Sequence, residues 1–160
     1  MNRFLRMVAV GTILTLASAA LVFAAKAPDP VIGTWTLNVE KSSYSPGPVP
    51  KSQTRTYAQT ANGISMTFNG VAADGSPVSG QSIFKYDGKD YPIMGSPDFD
   101  TLALKRVNAT TVKTTQKKGG KVVGSTIRTI SGHGKVMTLS SKGKDAHGVA
   151  IHNVVVFDKQ

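Results

Sequence analysis

The chain has no cysteine, one tryptophan and, at Glu40, a single glutamate. Without cysteine there is no disulfide, so packing and backbone hydrogen bonds alone must hold the fold. A bacterial lipoprotein is excluded too, because its lipid is carried on a cysteine at the cleavage point. Metal coordination would fall to three histidines and scattered aspartates. His133 and His147 lie in glycine-flanked turns, and His152 has no ligand-spaced partner, so no metal site is predicted. No serine stands in a Gly-x-Ser-x-Gly elbow, and the only carboxylates available for a catalytic pair are turn aspartates. No catalytic residue and no cofactor are therefore predicted, and the expectation is a non-enzymatic protein. Helical periodicity is missing after Lys51, and no second long apolar run follows the first.

That first run forms part of a leader. Arg3 and Arg6 supply a basic start, Met7 to Phe23 is apolar, and Val22-Phe23-Ala24 satisfies the small-residue rule for cleavage. The division predicted is a signal peptide over 1–24, a short linker over 25–30 and a single β-barrel domain over 31–160. No twin-arginine pair is present, so the leader reads as Sec-type and the mature chain is expected in the periplasm or outside the cell. With the leader gone, no membrane span remains. The net charge of +10 would fall by two on losing Arg3 and Arg6. A basic surface of this kind attracts an anionic envelope polymer. Nucleic acid is not expected as a partner, because the basic tip at Lys117, Lys118 and Lys121 lacks interleaved aromatics for base stacking.

What the mature region has in quantity is turns. Asn62-Gly63, Asp74-Gly75, Asp87-Gly88, Ser96-Pro97-Asp98, Asn108-Ala109, Gly119-Gly120, Gly132-His133-Gly134 and Gly143 to Gly148 recur roughly every 9–14 residues. Candidate strands are Val31–Glu40, Ser52–Thr60, Ile64–Val71, Val78–Tyr86, Tyr91–Met94, Phe99–Val107, Thr110–Lys117, Lys121–Ser131, Lys135–Ser141 and Val149–Phe157. Every link between them is short, so neighbours pair as antiparallel hairpins. The prediction is an all-β, up-and-down meander of about 8–10 strands closed into a barrel, with little or no helix. The prolines of Ser45-Pro46-Gly47-Pro48-Val49-Pro50 forbid a helix after the first strand.

Alternation assigns faces. Ile64, Met66 and Phe68 share one; Val78, Ser82, Phe84 and Tyr86 another; Asp100, Leu102, Leu104 and Arg106 a third. Gln53–Thr60 and Thr110–Lys117 have almost no apolar face, which implies partly polar barrel walls. Arg55, Arg106 and Arg128 are the arginines outside the leader, and each stands in a strand. An arginine inside a barrel needs an acidic partner or an anionic ligand. The competing placements are an outward or rim arginine and, for Arg106, an internal pair with Asp100.

The opening Gly33-x-Trp35, the meander and the closing Val154-Val155-Val156-Phe157-Asp158-Lys159 resemble the calycin group, which includes lipocalins and fatty-acid-binding proteins. Gly33 to Pro48, Lys85 to Pro92 and Lys117 to Val123 are similar to small secreted lipocalin-like proteins of bacteria that lack an assigned function. The resemblance implies a lipocalin-like barrel in which Gly33 and Trp35 plug the closed end. It also implies that the loop after the first strand lies at the open mouth. Two departures stand out: the helical pair of fatty-acid-binding proteins is replaced by the proline-rich loop, and the closing strand carries no arginine clamp.

Two functional expectations follow. In the first, a monomeric barrel binds a small, anionic or amphipathic molecule, with Tyr57, Met66, Phe68, Phe84, Tyr86, Leu104, Arg106 and Arg128 as candidate lining residues. In the second, the barrel is filled, and its basic surface binds an acidic envelope polymer or a protein partner.

Overall fold

A computed structural model describes residues 27–160. The predicted leader and the first two linker residues lie outside the described residues. Ten strands follow in order: β1 (Gly33–Ser43), β2 (Ser52–Thr60), β3 (Gly63–Val71), β4 (Pro77–Phe84), β5 (Asp87–Met94), β6 (Thr101–Arg106), β7 (Thr111–Lys118), β8 (Lys121–Ser131), β9 (Val136–Lys144) and β10 (Ala150–Lys159). Each pairs antiparallel with its chain neighbours, and β1 closes the barrel by pairing with both β2 and β10. The meander thus has ten strands, the upper end of the expected range. The connections explain the topology: between Lys118 and Lys121, which face each other, Gly119 and Gly120 both take positive φ (53° and 78°), as a two-residue hairpin requires.

Asp87-Gly88 sits at the reversal from β4 to β5: the pairs Gln81–Met94 and Ser82–Ile93 centre on it, and Gly88 takes a positive φ (77°). Strand β5 nevertheless begins on this dipeptide, because Asp87 also pairs with Lys105 of β6. The Asp87 carboxylate accepts from the Lys89 N–H (3.1 Å) and the Tyr91 hydroxyl (2.9 Å). The β4–β5 seam is also the thinnest, pairing only Gln81 with Met94 and Ser82 with Ile93. Pro92 contributes to this. Its carbonyl faces β4, where it accepts from the Ser82 hydroxyl (2.8 Å), and proline has no N–H to offer on that side.

Strand alternation sends Trp35, Tyr57, Ile64, Met66, Phe84, Leu102, Leu104, Val112, Ile130, Met137, Leu139, Val155 and Phe157 into one core. Trp35, Met137 and Phe157 are fully buried. They lie at the end of the barrel where β1 begins. There the segment before β1 folds under the strands: Val31 is fully buried and its carbonyl accepts from Trp35 Nε1 at 2.7 Å. Lys159 Nζ lies 5.1 Å from the centre of the Trp35 ring and donates to the Pro30 carbonyl at 3.2 Å. Gly33 makes this crossing feasible. Its φ is +129°, and a Cβ there would stand 2.8 Å from Lys159 Cε.

Two outcomes follow from this end of the barrel. Trp35→Ala should cost about 3–5 kcal/mol, the usual range for emptying a large aromatic site, read as a lower urea midpoint with unchanged slope. Gly33→Ala should cost more than about 1 kcal/mol, because the new methyl meets both an unfavourable φ and the Lys159 chain. A midpoint unchanged in either variant would show that this end carries little of the stability.

Candidate functional site

At the opposite end the strands surround a cavity of about 320 Å³. Tyr44 and Pro50, on the segment after β1, and Ser96 to Phe99, between β5 and β6, lie at its mouth. These segments are tethered. The Ser45 carbonyl accepts from His152 N–H (2.7 Å), Asp98 accepts from Ala146 N–H (3.0 Å), and Asp100 accepts from Gly119 N–H (2.9 Å). The last contact, together with the Thr101 hydroxyl, holds the Asp100 carboxyl below its ordinary pKa.

Of the eight residues predicted to line a ligand site, Tyr57, Met66, Phe68, Phe84, Leu104 and Arg128 surround this one cavity. Tyr86 and Arg106 do not; they line a separate hollow at the Trp35 end, with Asp29, Ile32 and Ile64. The reason for Arg106 is the direction of β6. That strand runs from the mouth toward the Trp35 end, so Arg106 lies beyond Leu104 and leaves the cavity. It forms an ion pair with Asp29 and donates to the Ala109 carbonyl (3.2 Å). Asp100, its alternative partner by sequence, stands at the other end of the same strand.

Of the two arginines that line the cavity, Arg55 and Arg128, Arg128 is the more deeply buried. It is only 5% exposed, held on β8 between Thr126 and Ile130, which are buried with it. Its Nη2 donates to the Tyr86 hydroxyl, and its guanidinium carbon lies 5.7 Å and 5.4 Å from the ring centres of Tyr57 and Tyr86. Its Nε is buried with no protein acceptor. Among the described residues the ion pairs are Arg106–Asp29 and Lys117–Asp90, so no carboxylate answers Arg128. Removing a charge from water without a counter-charge costs several kcal/mol, which aromatic faces and one neutral hydroxyl offset only in part. Tyr86 also carries Arg106 over its ring at 4.2 Å and therefore touches two guanidinium groups. Burial still pushes its phenol above the ordinary tyrosine pKa, with Arg128 pulling the other way.

The cavity wall is two-sided. Met66, Phe68, Phe84, Leu102, Leu104 and Val155 form an apolar part; Gln53, Thr114, Gln116, Thr126, Ser141 and Asn153 form a polar one. The polar chain is partly linked, with Gln116 donating to Thr126 at 3.3 Å and Thr126 bonded to Ser141 at 2.7 Å. The apolar-poor strands of the sequence, β2 and β7, supply Gln53, Thr114 and Gln116. What pattern reading could not supply is which alternate set faces inward in a strand polar on both sides. Arg55 also lines the cavity, as do Tyr44 and Phe99 from its mouth; burial raises the Tyr44 phenol, and Arg55 opposes that rise. No histidine lines the cavity, and among the described residues no group of three or more histidines or acids is placed to hold a metal. The site can offer an apolar surface, neutral hydrogen-bonding groups and guanidinium donors.

No family model matches the chain, and no curated protein matches it in sequence. Among solved structures it is similar to the crystal structure of zebrafish ileal bile acid-binding protein complexed with cholic acid. The two are 13% identical with a TM-score of 0.47, over 82% of this chain and 99% of that one.

Proposed function

We propose that this protein binds a small amphipathic anion inside its barrel, as a non-enzymatic carrier or scavenger in the periplasm or outside the cell. The observation that carries this reading is Arg128: a buried guanidinium without a carboxylate partner, one of its nitrogens unanswered, at the wall of a cavity. A carboxylate, sulfonate or phosphate on a ligand would supply the missing acceptors as short, charge-assisted bonds. Met66, Phe68 and Leu104 would cover its apolar body, and the Thr114–Thr126–Ser141 side would accept hydroxyls or water. Binding would then relieve a cost already present in the free protein, which favours anions over neutral analogues. The cavity speaks against a filled barrel working only through its basic surface. The extracellular setting rests on the leader.

Titration with the anionic fluorophore anilinonaphthalene sulfonate tests the site. Saturable one-to-one binding is expected, weakened about 10- to 100-fold by Arg128→Met and unchanged by Arg106→Met. Arg128→Met should at the same time hold or raise Tm, because it removes an unpaired buried charge. A variant that binds normally, or no saturable binding to the wild-type protein, would remove Arg128 from the site. The compartment has its own check: full-length protein made in a Gram-negative host should appear in the periplasm with Ala25 as its first residue. Retention of the leader in the cytoplasm would contradict it.

A further inference from the structure

A single anionic head at Arg128 leaves a second cation of the cavity unanswered. Arg55 lies on β2, two residues from Tyr57 and on the same inward face. Its guanidinium carbon is 5.4 Å from the ring centre of Phe68 and 5.2 Å from that of Phe157. Its Nε donates to Gln53 Oε1 at 2.8 Å, and that is its hydrogen bond to protein among the described residues. The two terminal amino groups therefore have no protein acceptor, and no acid pairs with the residue. The one carboxylate lining the cavity is Asp98 at the mouth, which already receives the Ala146 N–H.

We propose that the ligand is a dianion, an apolar body carrying two acidic groups, one received by Arg128 and the other by Arg55. The inference rests on the reading of the cavity as an anion site and adds the number of charges the ligand carries. Three points carry it. Two guanidinium groups facing one cavity repel each other, and a monoanion neutralises only one of them. The rings of Phe68 and Phe157 flank the Arg55 head, while its two terminal amino groups stay open for a two-pronged contact. The ring of Phe68 lies against Arg55, that of Tyr57 lies against Arg128, and Met66, paired with Tyr57, lines the same cavity, which gives an apolar surface for the part of the ligand joining its acidic groups. A second carboxylate without Arg55 would have to shed water with nothing to replace it, so the same group that helps with Arg55 present would hurt with it absent.

Calorimetric titration with a series of α,ω-alkanedioates, from octanedioate to hexadecanedioate, against the matching monocarboxylates tests this. At one chain length the diacid should bind wild-type protein at least about 10-fold more tightly than its monoacid, the return expected for one added charge-assisted contact. Arg55→Gln should erase that advantage and leave monoacid affinity nearly unchanged, whereas Arg128→Gln should weaken both. Arg55→Lys, which keeps the charge, should restore part of the preference and separates lost recognition from lost folding. If monoacids bind and no diacid binds more tightly, the dianion inference is overturned while the anion site stands. If Arg55→Gln weakens mono- and diacids alike, the division of labour between the arginines is overturned. Should neither series bind, both readings fall together.

Discussion

Everything in this barrel depends on β1 being hydrogen-bonded on both edges, to β2 and to β10. Closure removes the two open edges that a ten-strand meander would otherwise present. It also converts a local period of two into a global inside and outside, because each strand has only one face toward the axis. β1 meets this demand with a distortion. Its register with β10 shifts between Asn38 and Ser43, and the Ser42 hydroxyl repairs the break by accepting from Val156 N–H (2.9 Å) and donating to the Asn38 carbonyl (2.7 Å). The displaced end of β1 then carries the proline-rich segment to the mouth.

With inside and outside set, the three arginines of the domain meet three different fates. Arg106 finds Asp29 and becomes part of the plugged end. Arg128 finds only neutral partners, and Arg55 finds two phenyl rings and a glutamine. Folding has therefore matched one cation with a carboxylate and left two at the cavity without one. Tyr86 stands between the two regimes, in contact with Arg106 on one side and Arg128 on the other. At Arg128, the buried one of the two, a neutral residue could be buried at less cost, so the charge is not explained by stability.

Much of the architecture is legible in the chain itself. Alternation places Ile64, Met66 and Phe68 on one face, and the glycine pairs mark hairpins, because both signals are local. The same locality sets a limit: Asp87-Gly88 turns the chain as its sequence indicates, but that Asp87 also pairs with Lys105 of β6 depends on a strand the dipeptide cannot announce. Arg106 shows a second kind of limit. Its face is readable from Leu102 and Leu104, but its depth is not, since depth depends on which barrel end a strand approaches. Its partner lies 77 residues away, in the linker before the first strand.

What the sequence by itself determined is the class of structure: antiparallel strands, short hairpins, an apolar face on most strands and no disulfide. These follow from backbone sterics and side-chain periodicity within a few residues. Only the tertiary structure decided which polar and charged groups meet. Asp29 reached Arg106, while Arg128 was left against Tyr86 without a carboxylate, because ion pairing depends on distances set by barrel closure and strand register. The cavity belongs to the same level. Its volume is whatever space the inward side chains of ten strands fail to fill, a property that no single strand contains.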